Sequence, residues 1–154
     1  MMQNEAAGAA MAEKENGSGM DWSERLGLII EEFGADSGTI HLLGKDGTLK
    51  LAASQGIPEV VLERVQSIPI GKGMAGLAAA RREPVTICNL QTDTSGDARP
   101  GARLTGMEGA IAVPMLDGAG AVKGVLGIAN RAARTFSEDE QQRLLKLGRA
   151  LVGE

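Results

Sequence analysis

Aromatic residues are nearly missing from this chain. Its 154 residues include two Phe, one Trp and no Tyr, so any core must be filled by Leu, Ile, Val, Met and Ala. Cysteine is as scarce. A single one, Cys88, excludes an intramolecular disulfide and fits a reducing compartment, so a cytoplasmic location is expected. His41 is the sole histidine, and no cluster of His, Cys, Asp and Glu shows metal-ligand spacing. The expectation is therefore no metal and no cofactor. No apolar run approaches the roughly 20 residues of a membrane helix. Positive charge is not in excess either: 16 Lys and Arg against 20 Asp and Glu leave a net charge of −4. Neither nucleic acid nor an anionic membrane is an expected partner.

What is present suits one globular domain. Apolar residues make up 43% and charged residues 23%, an ordinary balance for a soluble fold with a single core. Residues 1–20 stand apart, with no basic segment followed by an apolar one, so they do not read as a signal peptide. Their Ala, Glu, Gly, Asn and Ser bury too little to offset ordering, which predicts a disordered or weakly helical tail. The domain is expected over 21–152.

Asp21 and Glu24 have capping-box spacing, and Trp22, Leu26, Ile29, Ile30 and Phe33 follow at helical period up to Gly34. Thr39–Leu43 and Leu49–Ser54 flank an Asp46-Gly47 turn and predict a hairpin. A short helix is expected after Pro58. Gly71-x-Gly73-x-x-Gly76 then leads into a small-residue helix to Arg82, and Pro84–Cys88 reads as a strand. Residues 89–108 are dominated by polar and small side chains, a long loop shortened by a brief helix after Pro100. Strands over Ala110–Met115 and Ala121–Ala129 come next. Ser137 and Glu140 then cap a last helix striped with Leu144, Leu147 and Leu151. Hairpins bracketed by helices argue an α+β fold with an antiparallel sheet.

The glycine motif at 71–76 would need a strand–turn–helix unit and a placed acidic residue to bind a dinucleotide. Here a short helix precedes it and Asp93 falls in the long loop, so it reads as a glycine turn entering a helix. Free N–H groups at that helix start suit an anion in any fold. His41, mid-strand, reads either as a sheet-face histidine with one hydrogen bond or as a site residue. Cys88 reads as a small apolar filler or as a reactive thiol. The long loop supplies donors and acceptors beside a helix whose Met74, Ala75, Ala78 and Ala79 leave room for a cavity.

Several segments carry a resemblance. They are Ala35–Ile40 with its hairpin, Ile68–Gly76, Pro84–Ile87, Ile111–Met115, Gly124–Ile128 and Phe136–Glu140. In this order and spacing they resemble a GAF domain, a small-molecule sensory module. The resemblance implies a central antiparallel sheet of about six strands with the terminal helices on one face. The ligand cavity would lie on the other, under the middle helix and long loop. Its bilin-binding branch uses a Cys followed by His, whereas Cys88 precedes Asn89. The cyclic-nucleotide signature is matched in part by Asn130-Arg131, Phe136 and Asp139-Glu140. The enzymatic branch, free methionine-R-sulfoxide reductase, works through several cysteines, and one Cys argues against it.

The resemblance makes the candidate ligand-binding residues Thr39, His41, Gly73, Met74, Cys88, Asn89, Gln91, Asp93, Arg103 and Thr105, with no catalytic residue. The expected function is non-catalytic binding of a small polar or anionic metabolite. Output is expected through a homodimer of the terminal helices or a regulatory protein partner. The alternative is redox chemistry at Cys88, as a thiol sensor or as a free methionine sulfoxide reductase-like enzyme that uses an external thiol. With Trp22, Phe33 and Phe136 all near the terminal helices, no aromatic is left to stack on a flat ligand.

Overall fold

The structure is a computed structural model that describes residues 21–98 and 100–153; the tail expected over 1–20 lies outside the described residues. Its elements in chain order are α1 (Trp22–Phe33), β1 (Ser37–Leu43), β2 (Thr48–Gln55), α2 (Glu59–Leu62), β3 (Ser67–Pro69) and α3 (Gly73–Arg81). Then follow β4 (Val85–Ile87), a 3-10 helix (Pro100–Thr105), β5 (Gly109–Leu116), β6 (Val122–Asn130) and α4 (Glu138–Leu151). The strands form one six-stranded sheet in the order β3-β2-β1-β6-β5-β4, antiparallel throughout. This is the α+β architecture expected from the sequence.

Both long helices begin where their capping chemistry dictates. Asp21 accepts the Glu24 N–H at 2.8 Å while the Glu24 carboxylate accepts the Asp21 N–H, and Ser137 and Glu140 do the same for α4. Gly34 closes α1 in the left-handed conformation at φ 61°. The apolar stripes of α1 and α4 then cover one sheet face. Leu26, Ile29, Ile30, Leu144 and Leu151 pack on Ile40, Val113, Met115, Leu126 and Ile128, with Phe136 beside them. Each such side chain contributes about 1.5–3 kcal/mol by leaving water. Trp22 and Phe33 edge the same cluster, so all three aromatic rings sit on the helical side.

Strand alternation sends the intervening residues to the opposite face. There Ala78 and Ala79 of α3 pack over Leu49, Val85, Ala112 and Val125, and a smaller cluster joins Ile87, Leu90, Met107 and Ala110. The sheet tolerates no side chain at Gly124: a Cβ there would overlap the His41 carbonyl oxygen of β1 and lie 2.5 Å from Met115 Cε. A bulge between Ile40 and His41 breaks the β1–β2 register next to this contact.

Candidate ligand-binding site

A cavity of about 190 Å³ lies between the sheet and the elements over its second face. Its floor is β1, β5 and β6, and its roof is the start of α3, the Val61–Val65 segment and the 3-10 helix. The void exists because the floor is built from Ala110, Ala112, Gly127 and Ala129, whose short side chains leave space beneath the roof. An apolar cavity of about 150 Å³ holds a benzene-sized guest, and drug-sized ligands occupy about 300 Å³ or more. This one therefore suits a compact molecule of roughly six to nine heavy atoms.

The walls are aliphatic, with Ile57, Val61, Val65, Ile68, Met74 and Val125 among them. Against them stands one polar row. Ser37, Thr39 and His41 occupy alternate positions of β1 and all line the cavity, a span of roughly 13 Å along the strand. Ser37 is fully buried and its hydroxyl has no partner. His41 is 1% exposed; its Nε2 lies 2.8 Å from the Val65 carbonyl oxygen, and its Nδ1 has no partner. A carbonyl only accepts, so Nε2 carries the proton and donates. Burial pushes the imidazole below its ordinary value of 6.5, opposed by the bond to Val65. The ring is neutral near pH 7, and Nδ1 presents a bare lone pair.

The roof adds donors. Gly73, Met74 and Ala75, the first residues of α3, line the cavity together with Lys72. Lys72 makes no side-chain cap, so the backbone N–H groups of the first turn have no side-chain partner at the positive end of the helix. The glycines here have steric reasons. Gly71 and Gly73 adopt φ 89° and 69°, and a Cβ on Gly76 would overlap the Pro69 carbonyl oxygen. A second, wider hollow of about 600 Å³ adjoins, sharing Lys72, Gly73 and Ala98 with the first. The Arg81–Asp97 ion pair at 3.4 Å ties its rim to α3.

Of the residues singled out in the sequence, Thr39, His41, Gly73, Met74 and Thr105 line the cavity. Asn89, Gln91, Asp93 and Arg103 lie outside that lining and bind the long loop to itself. Gln91 Nε2 donates to the Met107 and Arg103 carbonyls at 2.8 and 3.2 Å, and Asn89 Oδ1 accepts the Gln91 N–H. Asp93 accepts from Ser95, and Arg103 donates to the Asp93 carbonyl. Cys88 also lies off the cavity and is exposed, with Thr135 Oγ1 3.6 Å from its sulfur. The filler reading does not hold for it: alternation along β4 buries Val85 and Ile87 and turns Thr86 outward, and Cys88 follows in phase.

Ser37 is not among the candidate binding residues that the sequence offers. The signal was available in the period-two spacing of Ser37, Thr39 and His41. The partial signature near the last helix is structural. Arg134, rather than Arg131, donates to the Phe33 carbonyl and Asn130 Oδ1 at 2.8 Å and to Glu140 Oε2 at 2.7 Å, stacked 4.5 Å from the Phe136 ring centre. None of these residues lines the cavity. Among the described residues no group of three His, Cys, Asp or Glu is placed to hold a metal ion. No helix there is long and apolar enough to cross a membrane.

The family model described as GAF domain matches residues 24–151. No curated protein matches the chain. Among solved structures, the GAF domain of an Acinetobacter phosphoenolpyruvate-protein phosphotransferase is 25% identical, with a TM-score of 0.70 over 85% of this chain and 77% of its own. The corresponding domain from Coxiella burnetii is 23% identical, TM-score 0.68, over 84% and 76%. Free methionine-R-sulfoxide reductase from Neisseria meningitidis, solved with its substrate, is 24% identical, TM-score 0.67, over 84% and 72%.

Proposed function

Because this chain belongs to the GAF domain family, we propose that it is a non-catalytic regulatory module that senses a small metabolite bound in the 190 Å³ cavity. The observation that carries this reading is the cavity itself, a hollow with aliphatic walls and two buried polar groups without partners on the residues that line it. A folded chain rarely keeps such groups unpaired unless something else completes them. The free N–H groups at the start of α3, with Lys72 beside them, favour a ligand with a polar or anionic head. Thr39, His41, Gly73, Met74 and Thr105 are the proposed binding residues. The loop residues Asn89, Gln91, Asp93 and Arg103 shape the cavity's cover, and Cys88 lies beyond it.

Output is proposed to pass through α1 and α4, in a homodimer or against a regulatory protein. The two helices are tied to each other: Arg143 makes a bidentate contact to Glu32 at 2.8 and 3.0 Å, and Arg25 donates to the Ala150 carbonyl. The test is a thermal-shift screen over carboxylates, amino acids, oxyanions and nucleotides. A ligand at 100 times its Kd stabilises the fold by about 2.7 kcal/mol. A flat response across the panel would overturn the binding reading. A second reading, thiol chemistry at Cys88, is favoured by the exposure of that side chain. It predicts reversible oxidation by peroxide that alters oligomeric state or ligand affinity; alkylated protein that binds and assembles as before would exclude it.

A further inference from the structure

We propose that the cavity selects a small aliphatic ligand that carries a hydroxyl or N–H group and donates it to His41 Nδ1. This rests on the reading of the cavity as a ligand site and specifies the chemistry of what enters it. Two observations carry it. First, the Val65 carbonyl fixes the tautomer of His41, since its 2.8 Å contact with Nε2 leaves the proton there and a lone pair on Nδ1. Second, that nitrogen is buried without a partner on a residue lining the cavity. Ser37 is in the same condition two alternate positions along the strand.

The two groups ask for different things. A serine hydroxyl both donates and accepts, so it tolerates either kind of polar atom. The Nδ1 lone pair only accepts. A ligand carbonyl or ether oxygen facing it would set two lone pairs against each other, and an alkyl group would leave it dry and unpaired. Discrimination therefore falls on the donor. Sites built around one buried hydrogen bond reject analogues lacking it far more strongly than apolar pockets reject a missing methylene.

A set of acids with one skeleton isolates the effect: isovalerate, 2-oxoisovalerate and 2-hydroxyisovalerate, with the homologous acids one carbon shorter and longer. They share a carboxylate and nearly the same volume, and differ in offering no further polar atom, an acceptor or a donor. Affinities are read by isothermal titration calorimetry on the full chain. The hydroxy acid is expected to bind about tenfold or more tighter than the oxo acid. His41→Gln, which removes the fixed Nδ1 lone pair, should reduce that ratio severalfold. Ser37→Ala, roughly 13 Å along β1 from His41, should leave the ratio unchanged.

A second measurement needs no variant. His41 is the chain's only histidine, so its ring nitrogen signals need no assignment. On saturation with the hydroxy acid the unprotonated nitrogen should move upfield as its lone pair accepts a hydrogen bond. Equal binding of oxo and hydroxy acids, an unmoved nitrogen signal, or a ratio that survives His41→Gln would overturn the proposal and leave the cavity as a ligand site. No binding by any acid at millimolar concentration would overturn both.

Discussion

His41 should make the stability of the fold depend on pH in a window where no carboxylate does. The imidazole is 1% exposed, donates through Nε2 to a carbonyl and leaves Nδ1 dry. Burial holds it below its ordinary 6.5. Protonation in the folded state would place an unpaired charge in an aliphatic cavity, whereas the unfolded chain accepts the proton freely near pH 6.5. The unfolded state therefore binds more protons between the two values, and stability rises with pH across that interval. The contribution is complete above about pH 6.5 and lost as pH falls toward the depressed folded value. At most one proton is involved, which caps the slope at about 1.4 kcal/mol per pH unit. Glu32, Asp46, Asp117 and Glu140 also sit below their ordinary values, Asp46 at about 2, each through hydrogen bonds and nearby positive charge. Their contribution is lost only below about pH 4.5, so the two windows separate. Urea unfolding at steps from about pH 5 to about pH 8 measures the slope, and His41→Gln should abolish it above about pH 5 while leaving the acid limb. A flat profile through that range, or an unchanged slope in the variant, would show that His41 is not held neutral by burial.

Three further outcomes follow from the packing. Ala112→Leu, which faces Ala78 and Ala79 as well as the cavity, should abolish ligand stabilisation and cost the free protein about 1–3 kcal/mol in chemical denaturation; ligand stabilisation that survives the substitution would show that the ligand binds elsewhere. Gly124→Ala pushes a Cβ into the His41 carbonyl and Met115 and should cost about 1–3 kcal/mol, read from the urea midpoint. Arg134→Ala strands the acceptors at Phe33, Asn130 and Glu140 and should cost about 2 kcal/mol. Arg134→Lys should recover little of it, because one ammonium cannot reproduce the guanidinium fork. Full rescue by lysine in the same denaturation assay would reduce the role to charge alone.

The fold was legible because its signals are local. Two reciprocal capping boxes set the starts of α1 and α4, and the Asp-Gly turn with its alternating flanks set the first hairpin. The helix after Pro100 was readable for the same reason, since proline pre-sets the first turn. The site was legible only in part. Thr39, His41, Gly73, Met74 and Thr105 were named, but so were Asn89, Gln91, Asp93 and Arg103, whose polar atoms turn out to satisfy one another across the loop. Polarity marks a residue that needs a partner and does not say whether that partner is a ligand or a neighbouring carbonyl. Ser37 shows the converse. Its side chain is marked as a cavity residue only by its register two positions before Thr39. Register is a long-range property, set here by pairing with Ala129 on β6.

The scarcity of aromatics has a structural counterpart that constrains what the cavity can hold. Trp22, Phe33 and Phe136 all belong to the cluster between the sheet and the terminal helices. The cavity is left with Ala, Gly, Val, Ile and Met around the β1 polar row. No ring is available to stack on a purine, and stacking is worth about 1–3 kcal/mol per base where proteins use it. Volume points the same way, since about 190 Å³ is well short of a nucleotide's needs. The same small residues that empty the cavity also let β6 approach β1 at Gly124 and α3 lie close to the β5 alanines. Enlarging the cavity would therefore mean separating α3 from the sheet, at the cost of Ala78 and Ala79 packed against Val85 and Ala112. A ligand that fits without that separation is compact and aliphatic, and its selectivity must come from the few polar atoms it meets on β1 and at the start of α3.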